Sequence, residues 1–212
     1  MRIADHWDER VLPRLIDVVL GERVTGGWRA KAVSGASGTV LELGFGSGLN
    51  LEHYGPDVAR VLAVEPSDLA WNRATERVER FGRPVERVGL DGARVDLPDD
   101  SVDAVVSTWT MCTIPDLAGA LDEARRVLAP GGRLHFVEHS LSPDRRVRGV
   151  QRRVQPVWGR VAGGCHVDRD IPAELETAGL HALDLRQRYA SPLWPTRPFG
   201  WFVSGSAAPA AR

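Results

Sequence analysis

Thr39-Val40-Leu41-Glu42-Leu43 followed by Gly44-Phe45-Gly46-Ser47-Gly48-Leu49-Asn50 is the stretch on which the fold turns. Its first five residues form a β-rich run, and the glycines stop it. Glycines at a strand end let the backbone turn tightly and approach a ligand closely, while a helix beginning there offers free N–H groups. A nucleotide-type cofactor suits such a loop. The dinucleotide fingerprint would place its third glycine at position 49, which is Leu49 here, and this disfavours a nicotinamide oxidoreductase. The third glycine falls at Gly48, giving an E-x-G-x-G-x-G pattern with Glu42 in front.

Working outward, strand and helix patterns alternate. Strands are predicted over 61–65, 85–88, 102–107 and 134–138, with helices over 68–81 and 117–128 between them. Strands separated by helices imply right-handed crossovers and a largely parallel sheet covered on both faces. Glu65 closes the second strand 65 − 44 = 21 residues past the first glycine, where a carboxylate can accept hydrogen bonds from both ribose hydroxyls. Gly89-Leu90-Asp91-Gly92-Ala93 follows the third strand, where an acid can accept from an adenine amino group. Toward the front, Ile3, Trp7, Val11, Leu12, Leu15, Ile16 and Val19 recur at helical spacing, and a second short helix is predicted over 25–33. Toward the end come a helix over 171–178, strands over 181–189 and 199–204, and a frayed Ala/Pro tail after Ser206.

The chain has 212 residues, 43% hydrophobic and 26% charged, with 27 basic against 28 acidic side chains and a net charge of −1. This is one globular domain, not a disordered chain, and not a surface that tracks nucleic acid throughout. Lys31 is the single lysine among the basic residues. Cys112 and Cys165 make no disulfide framework and match no zinc spacing, so no metal is expected and a reducing cytoplasm is the simpler setting. The charged start is no signal peptide, and no run is long and apolar enough for a membrane span.

Taken together, the glycine loop, Glu65, Asp91-Gly92 and the Leu128-Ala129-Pro130-Gly131-Gly132-Arg133-Leu134 turn resemble the class I S-adenosylmethionine-dependent methyltransferases over residues 38–139. That resemblance implies an α/β Rossmann-like fold, with a seven-stranded sheet whose last strand is antiparallel. It also implies S-adenosyl-L-methionine as cofactor, with Gly44, Phe45, Gly46 and Gly48 along its methionine and ribose and Glu42 linked to its amino end. Glu65 and Pro66 would serve the ribose, Asp91 and Gly92 the adenine, and Asn50 and Thr108 the methionyl part. Phe45 stands where the superfamily often has a small residue, and would crowd the sulfonium. Residues 1–37 would form a helical cap, 38–206 the catalytic domain and 207–212 the tail.

Four later runs narrow the resemblance: Ser107-Thr108-Trp109-Thr110-Met111-Cys112-Thr113-Ile114, Phe136-Val137-Glu138-His139, Gln155-Pro156-Val157-Trp158 and Gly163-Gly164-Cys165-His166-Val167-Asp168-Arg169-Asp170. They look like the small branch of alkyl thiol methyltransferases and their bacterial relatives, apart from the front, where the animal proteins carry a hydrophobic anchor. A small lipophilic thiol is then the favoured acceptor, ahead of a phenol, quinol or phospholipid amine. A protein that binds the cofactor without turnover is the rival of another class. His139, at the carboxyl end of a strand, is the first candidate to take an acceptor's proton, with His166 and Asp168 behind it. Val147, Val150, Val154, Val157 and Val161 step by three or four among arginines. That spacing predicts a basic amphipathic helix over 144–163, either packed over the sheet edge or serving as a lid with peripheral membrane contact.

Overall fold

The computed structural model describes residues 22–210. The helix predicted over 3–20 lies outside the described residues. In chain order the elements are α1 (Glu22–Val33), β1 (Gly38–Leu43), a 3-10 turn (Leu49–Glu52), β2 (Val58–Val64), α2 (Asp68–Arg73), α3 (Thr75–Phe81), β3 (Val85–Gly89) and β4 (Val102–Thr108). Then follow α4 (Leu117–Val127), β5 (Leu128–His139), α5 (Arg145–Val161), α6 (Ile171–Thr177), β6 (Leu180–Ala182), β7 (Arg186–Tyr189), a second 3-10 turn (Trp194–Phe199) and β8 (Trp201–Pro209). Strands run β3-β2-β1-β4-β5-β8-β6, with β7 also on β8. The first five are parallel, and β8 is antiparallel to β5.

Alternation along β1 shows why both faces are covered. Leu41 and Leu43 enter one core with Met111, Leu121 of α4 and Leu175 of α6. Val40 enters the other with Val33 of α1, Ala104 and Val106 of β4 and Phe45. Burying a leucine of this kind contributes roughly 1.5–3 kcal/mol. A slip of one residue would exchange the faces of the whole strand, so the register is tightly specified.

Three expectations need correction. The sheet has eight strands, not seven, because the strand predicted over 181–189 breaks at Leu183–Leu185. There Asp184 turns its carboxylate onto the backbone N–H and hydroxyl of Ser206, and Gly205 leaves room for the Asp184 carbonyl. The tail is not frayed at 207: β8 runs to Pro209, and Ala207 is fully buried against Leu134 and Ala182. Finally, α5 fully buries its valine stripe only at Val147 and leaves the far end of the stripe open. Val147, Gln151 and Gln155 face inward, whereas Val157 and Val161 are 64% and 46% exposed. Gln151 accepts from Ser142 N and donates to the carbonyls of Ser140 and Pro198; Gln155 donates to Cys165 O and accepts from Val167 N. The helix is thus fastened through amide bonds that satisfy loop backbone, a need that hydrophobic periodicity does not register. Among the described residues no helix is long and apolar enough to cross a membrane.

Candidate active site

A cavity of about 1060 Å³ opens at the carboxyl ends of the parallel strands, where β1 has β2 on one side and β4 on the other. Ligands bind at such a switch point because the connections depart in opposite directions and leave a crevice. Each strand delivers one piece of the wall: Leu90-Asp91-Gly92 after β3, Glu65-Pro66-Ser67 after β2, Gly44-Phe45-Gly46-Ser47 after β1, Thr108-Trp109-Thr110 after β4 and His139 at the end of β5. With neighbouring strands about 4.8 Å apart, this row spans roughly 19 Å. Thr25, Trp28 and Arg29 of α1, the last turns of α5, Phe199 and Phe202 complete the enclosure.

Glu65 organises the glycine loop. One oxygen accepts from Gly46 N and the other from Ser67 N, both at 2.7 Å, which leaves each oxygen a further lone pair. Burial raises its carboxyl above the ordinary value. Gly46 is left-handed at φ 60°, and a Cβ there would meet no side chain, only the Gly44 carbonyl at 3.9 Å. Gly44 is left-handed as well, and a Cβ there would collide with the Thr110 side chain, so the β1 and β4 loops touch without spare room.

Glu42, Asn50 and Gly48 do not line the cavity; they stand behind its wall. Glu42 is buried, and Tyr54 OH (2.6 Å) and Asn50 Nδ2 (2.9 Å) donate to it. Burial pushes its carboxyl up to about 7, against the pull of those two hydrogen bonds. Asn50 also donates to Thr108 Oγ1 and accepts from Arg29 Nη1, which itself donates to Thr108 Oγ1 at 2.7 Å. Arg29 lies over the Trp109 ring and lines the cavity. Neither it nor Trp28 was marked in the sequence, because one short helix gives no sign of which end of the sheet it covers. Phe45 lines the cavity, and its ring packs against Trp71 and sits in the core with Leu51 and Ala63.

Of the three acid–base candidates only His139 reaches the cavity. His166 and Asp168 lie outside its lining, with His166 Nδ1 3.1 Å from Gln155 Nε2 and 3.8 Å from Asp168 Oδ1. His139 has unexpected company. Cys112 and Cys165, separated by 53 positions, place their sulfurs 3.7 Å from each other and each 3.7 Å from His139 Nδ1. The hydrogen bond between the two thiols splits them, holding Cys165 below the ordinary thiol value and Cys112 above it.

Glu138 was also missed. Fully buried, it accepts from Ser107 Oγ (2.7 Å) and from the backbone N–H groups of Thr110, Met111 and Cys112 (3.0, 3.0 and 3.1 Å). Its desolvation raises the carboxyl above the usual range. Those four donors fix the turn after β4, including Trp109 in its left-handed conformation at φ 52°.

With this geometry established, the chain was compared with known proteins. A family model described as a methyltransferase domain matches residues 41–136. Thiol S-methyltransferase TMT1B of Homo sapiens is 33% identical over 185 residues, covering 84% of this chain and 74% of the relative. Thiol S-methyltransferase TMT1A of Homo sapiens is 32% identical over 169 residues, 76% of this chain and 68% of the relative. Among solved structures, a SAM-dependent methyltransferase from Thermotoga maritima superposes with a TM-score of 0.67 at 20% identity, covering 98% and 100% of the two chains.

Proposed function

This chain belongs to the class I S-adenosylmethionine-dependent methyltransferases, and from that premise we propose that it methylates the sulfur of a small lipophilic thiol. The observation that carries the reading is a single cavity joining the Glu65-held glycine loop to a chamber walled by Ile114, Trp158, Phe199 and Phe202. Similarity to two thiol S-methyltransferases supports the choice of acceptor.

The residues present fit the cofactor. Gly46 leaves open space where a side chain would stand, Glu65 keeps a lone pair on each oxygen, and Arg29 sets a buried cation in the wall. Glu65 and Pro66 would hold the ribose, Asp91 and Gly92 the adenine, and the Gly44–Gly46 backbone with Arg29 and Thr108 the amino-acid end. When bound, the cofactor supplies an electrophilic methyl group on a sulfonium. Methyl transfer creates no oxyanion, so the protein's task is alignment, water exclusion and a deprotonated acceptor. Trp158, Phe199 and Phe202 exclude water and receive the acceptor's apolar body. His139, with the cysteines beside it, is the polar group we assign to the acceptor's sulfur. Glu42 and Asn50 act from behind the wall, holding Thr108 and Arg29 in place. Two free, buried cysteines suit a reducing cytoplasm.

Titration calorimetry should show S-adenosylmethionine binding and no NAD binding. Mass spectrometry with thiol, phenol and amine acceptors should show methylated thiol together with S-adenosylhomocysteine. Cofactor binding with methylation confined to phenols or amines would overturn the acceptor, and absence of any acceptor-dependent S-adenosylhomocysteine would overturn catalysis.

A further inference from the structure

Three parts of the chain that share no local motif deliver Cys112, His139 and Cys165 to one place. Cys112 lies in the turn after β4, His139 at the end of β5 and Cys165 in the loop after α5, and all three line the cavity. Their donor atoms form a triangle with 3.7 Å on every edge. Zinc bound to thiolates at about 2.3 Å and to imidazole at about 2.05 Å, with tetrahedral angles, requires sulfurs about 3.8 Å apart and sulfur to nitrogen about 3.6 Å. The triangle meets both edges within the ~0.2 Å tolerance of a real ligand set.

The surroundings hold these residues in place, with the Glu138 carboxylate beside the Cys112 thiol and the Trp158 ring beside the Cys165 sulfur. Cys112 N donates to Glu138 Oε2 at 3.1 Å, and Cys112 O accepts from His166 N at 2.7 Å. Cys165 O accepts from Gln155 Nε2 at 3.1 Å, and the His139 ring stands edge-on to Phe202. Thus the backbone of both cysteines is anchored while the sulfurs and Nδ1 converge on a common point. Two buried thiols in ordinary packing require no imidazole nitrogen equidistant from both.

We propose that Cys112, Cys165 and His139 form a Cys2His site for a thiophilic divalent cation, zinc first, with its fourth position open to the cavity. Two thiolates balance the 2+ charge, so the ion adds no net charge to the buried wall. The use of the site rests on the thiol reading above. An acceptor thiol entering the fourth position releases its S–H proton to solvent and is held as a thiolate with a lone pair toward the methyl group. As its new S–C bond forms, the sulfonium C–S bond breaks, leaving neutral S-adenosylhomocysteine and a thioether, a weak ligand that departs.

The test uses the full chain, reduced, stripped with chelator and then dialysed against zinc. Elemental analysis should find one zinc per chain, lost in both Cys112→Ser and Cys165→Ser. Cofactor binding by calorimetry checks that those variants are folded. Cobalt(II) added to the stripped parent should give the intense visible bands of tetrahedral thiolate-bound cobalt, shifting when a small thiol is added but not with its alcohol analogue. This measurement needs no variant. No retained zinc and no cobalt bands in the parent would overturn the site, as would zinc content unchanged in the folded serine variants. Full thiol methylation by stripped protein in chelator would overturn the metal's role and leave the thiol reading standing. Cobalt bands that ignore thiols, with no thiol turnover, would overturn the acceptor instead.

Discussion

Replacing Glu138 by Gln perturbs the turn that carries Cys112, and its cost follows from the donors. In the native protein one oxygen accepts from Ser107 Oγ, Thr110 N and Met111 N, and the other from Cys112 N. Glutamine has one oxygen to offer. Placed to serve the first three donors, it turns its NH2 toward the Cys112 N–H, donor against donor. One hydrogen bond to a charged acceptor is lost, worth about 1.5–3 kcal/mol, and a buried N–H is left unpaired at about 1–3 kcal/mol more. Against this, the burial that raises the Glu138 carboxyl no longer applies to a neutral side chain. The net expectation is a loss of roughly 2 kcal/mol, which for a chain of this size is about 4–8 °C in Tm. Thermal unfolding would be measured beside the rate at which Cys112 reacts with a thiol reagent, located by peptide mass spectrometry. Both should change together. A Gln variant that melts with the parent and reacts no faster at Cys112 would refute the argument that this carboxylate holds the turn.

The other expectations are simpler. Glu65→Ala should weaken S-adenosylmethionine binding by about 1.5–3 kcal/mol in calorimetry; because Glu65 also ties Gly46 and Ser67, Tm should fall too, and unchanged affinity would remove Glu65 from the site. Glu42 titrates at about 7 in the folded protein against 4.5 ordinarily, so the folded state holds the extra proton between these values. The stabilisation is full below about 4.5 and lost as pH rises through about 7, amounting to roughly 3 kcal/mol. Glu42→Gln should therefore flatten the fall of Tm over that window, and an unchanged slope would count against it. On α5, Val157→Asp should leave Tm nearly unchanged, whereas Gln151→Ala should lower it by a few degrees because three backbone groups lose their partner; the reverse order would restore the valine face.

How far the sequence could be read depended on whether the signal was local. The glycine loop, the strand–helix alternation and the strand ends that carry Glu65 and Asp91 were legible, because each is a pattern set by neighbouring residues. Glu42 and Asn50 stand one layer behind the cavity wall, a placement that spacing along β1 does not encode. The valines of α5 gave the correct helix but only part of its inward face, since beside Val147 the buried side chains are the amides of Gln151 and Gln155 answering loop backbone groups. Cys112 and Cys165 had no zinc spacing because their meeting is made by the sheet: β4 and β5 must pair and α5 must cross before the sulfurs approach. Glu138 reads in sequence as an ordinary polar position at a strand end.

The close approach of the β1 and β4 loops at Gly44 also bears on how this protein can be varied. In a combinatorial library, columns 44 and 110 are not independent. A side chain at 44 is scored against whatever stands at 110, because Thr110 fills the space a Cβ would take. Shrinking residue 110 relieves the collision but leaves the left-handed backbone of residue 44, so only the steric share of the defect is recoverable. Sign and size of a substitution in one loop thus depend on the genotype of the other, and the halves of the cavity evolve as a linked pair.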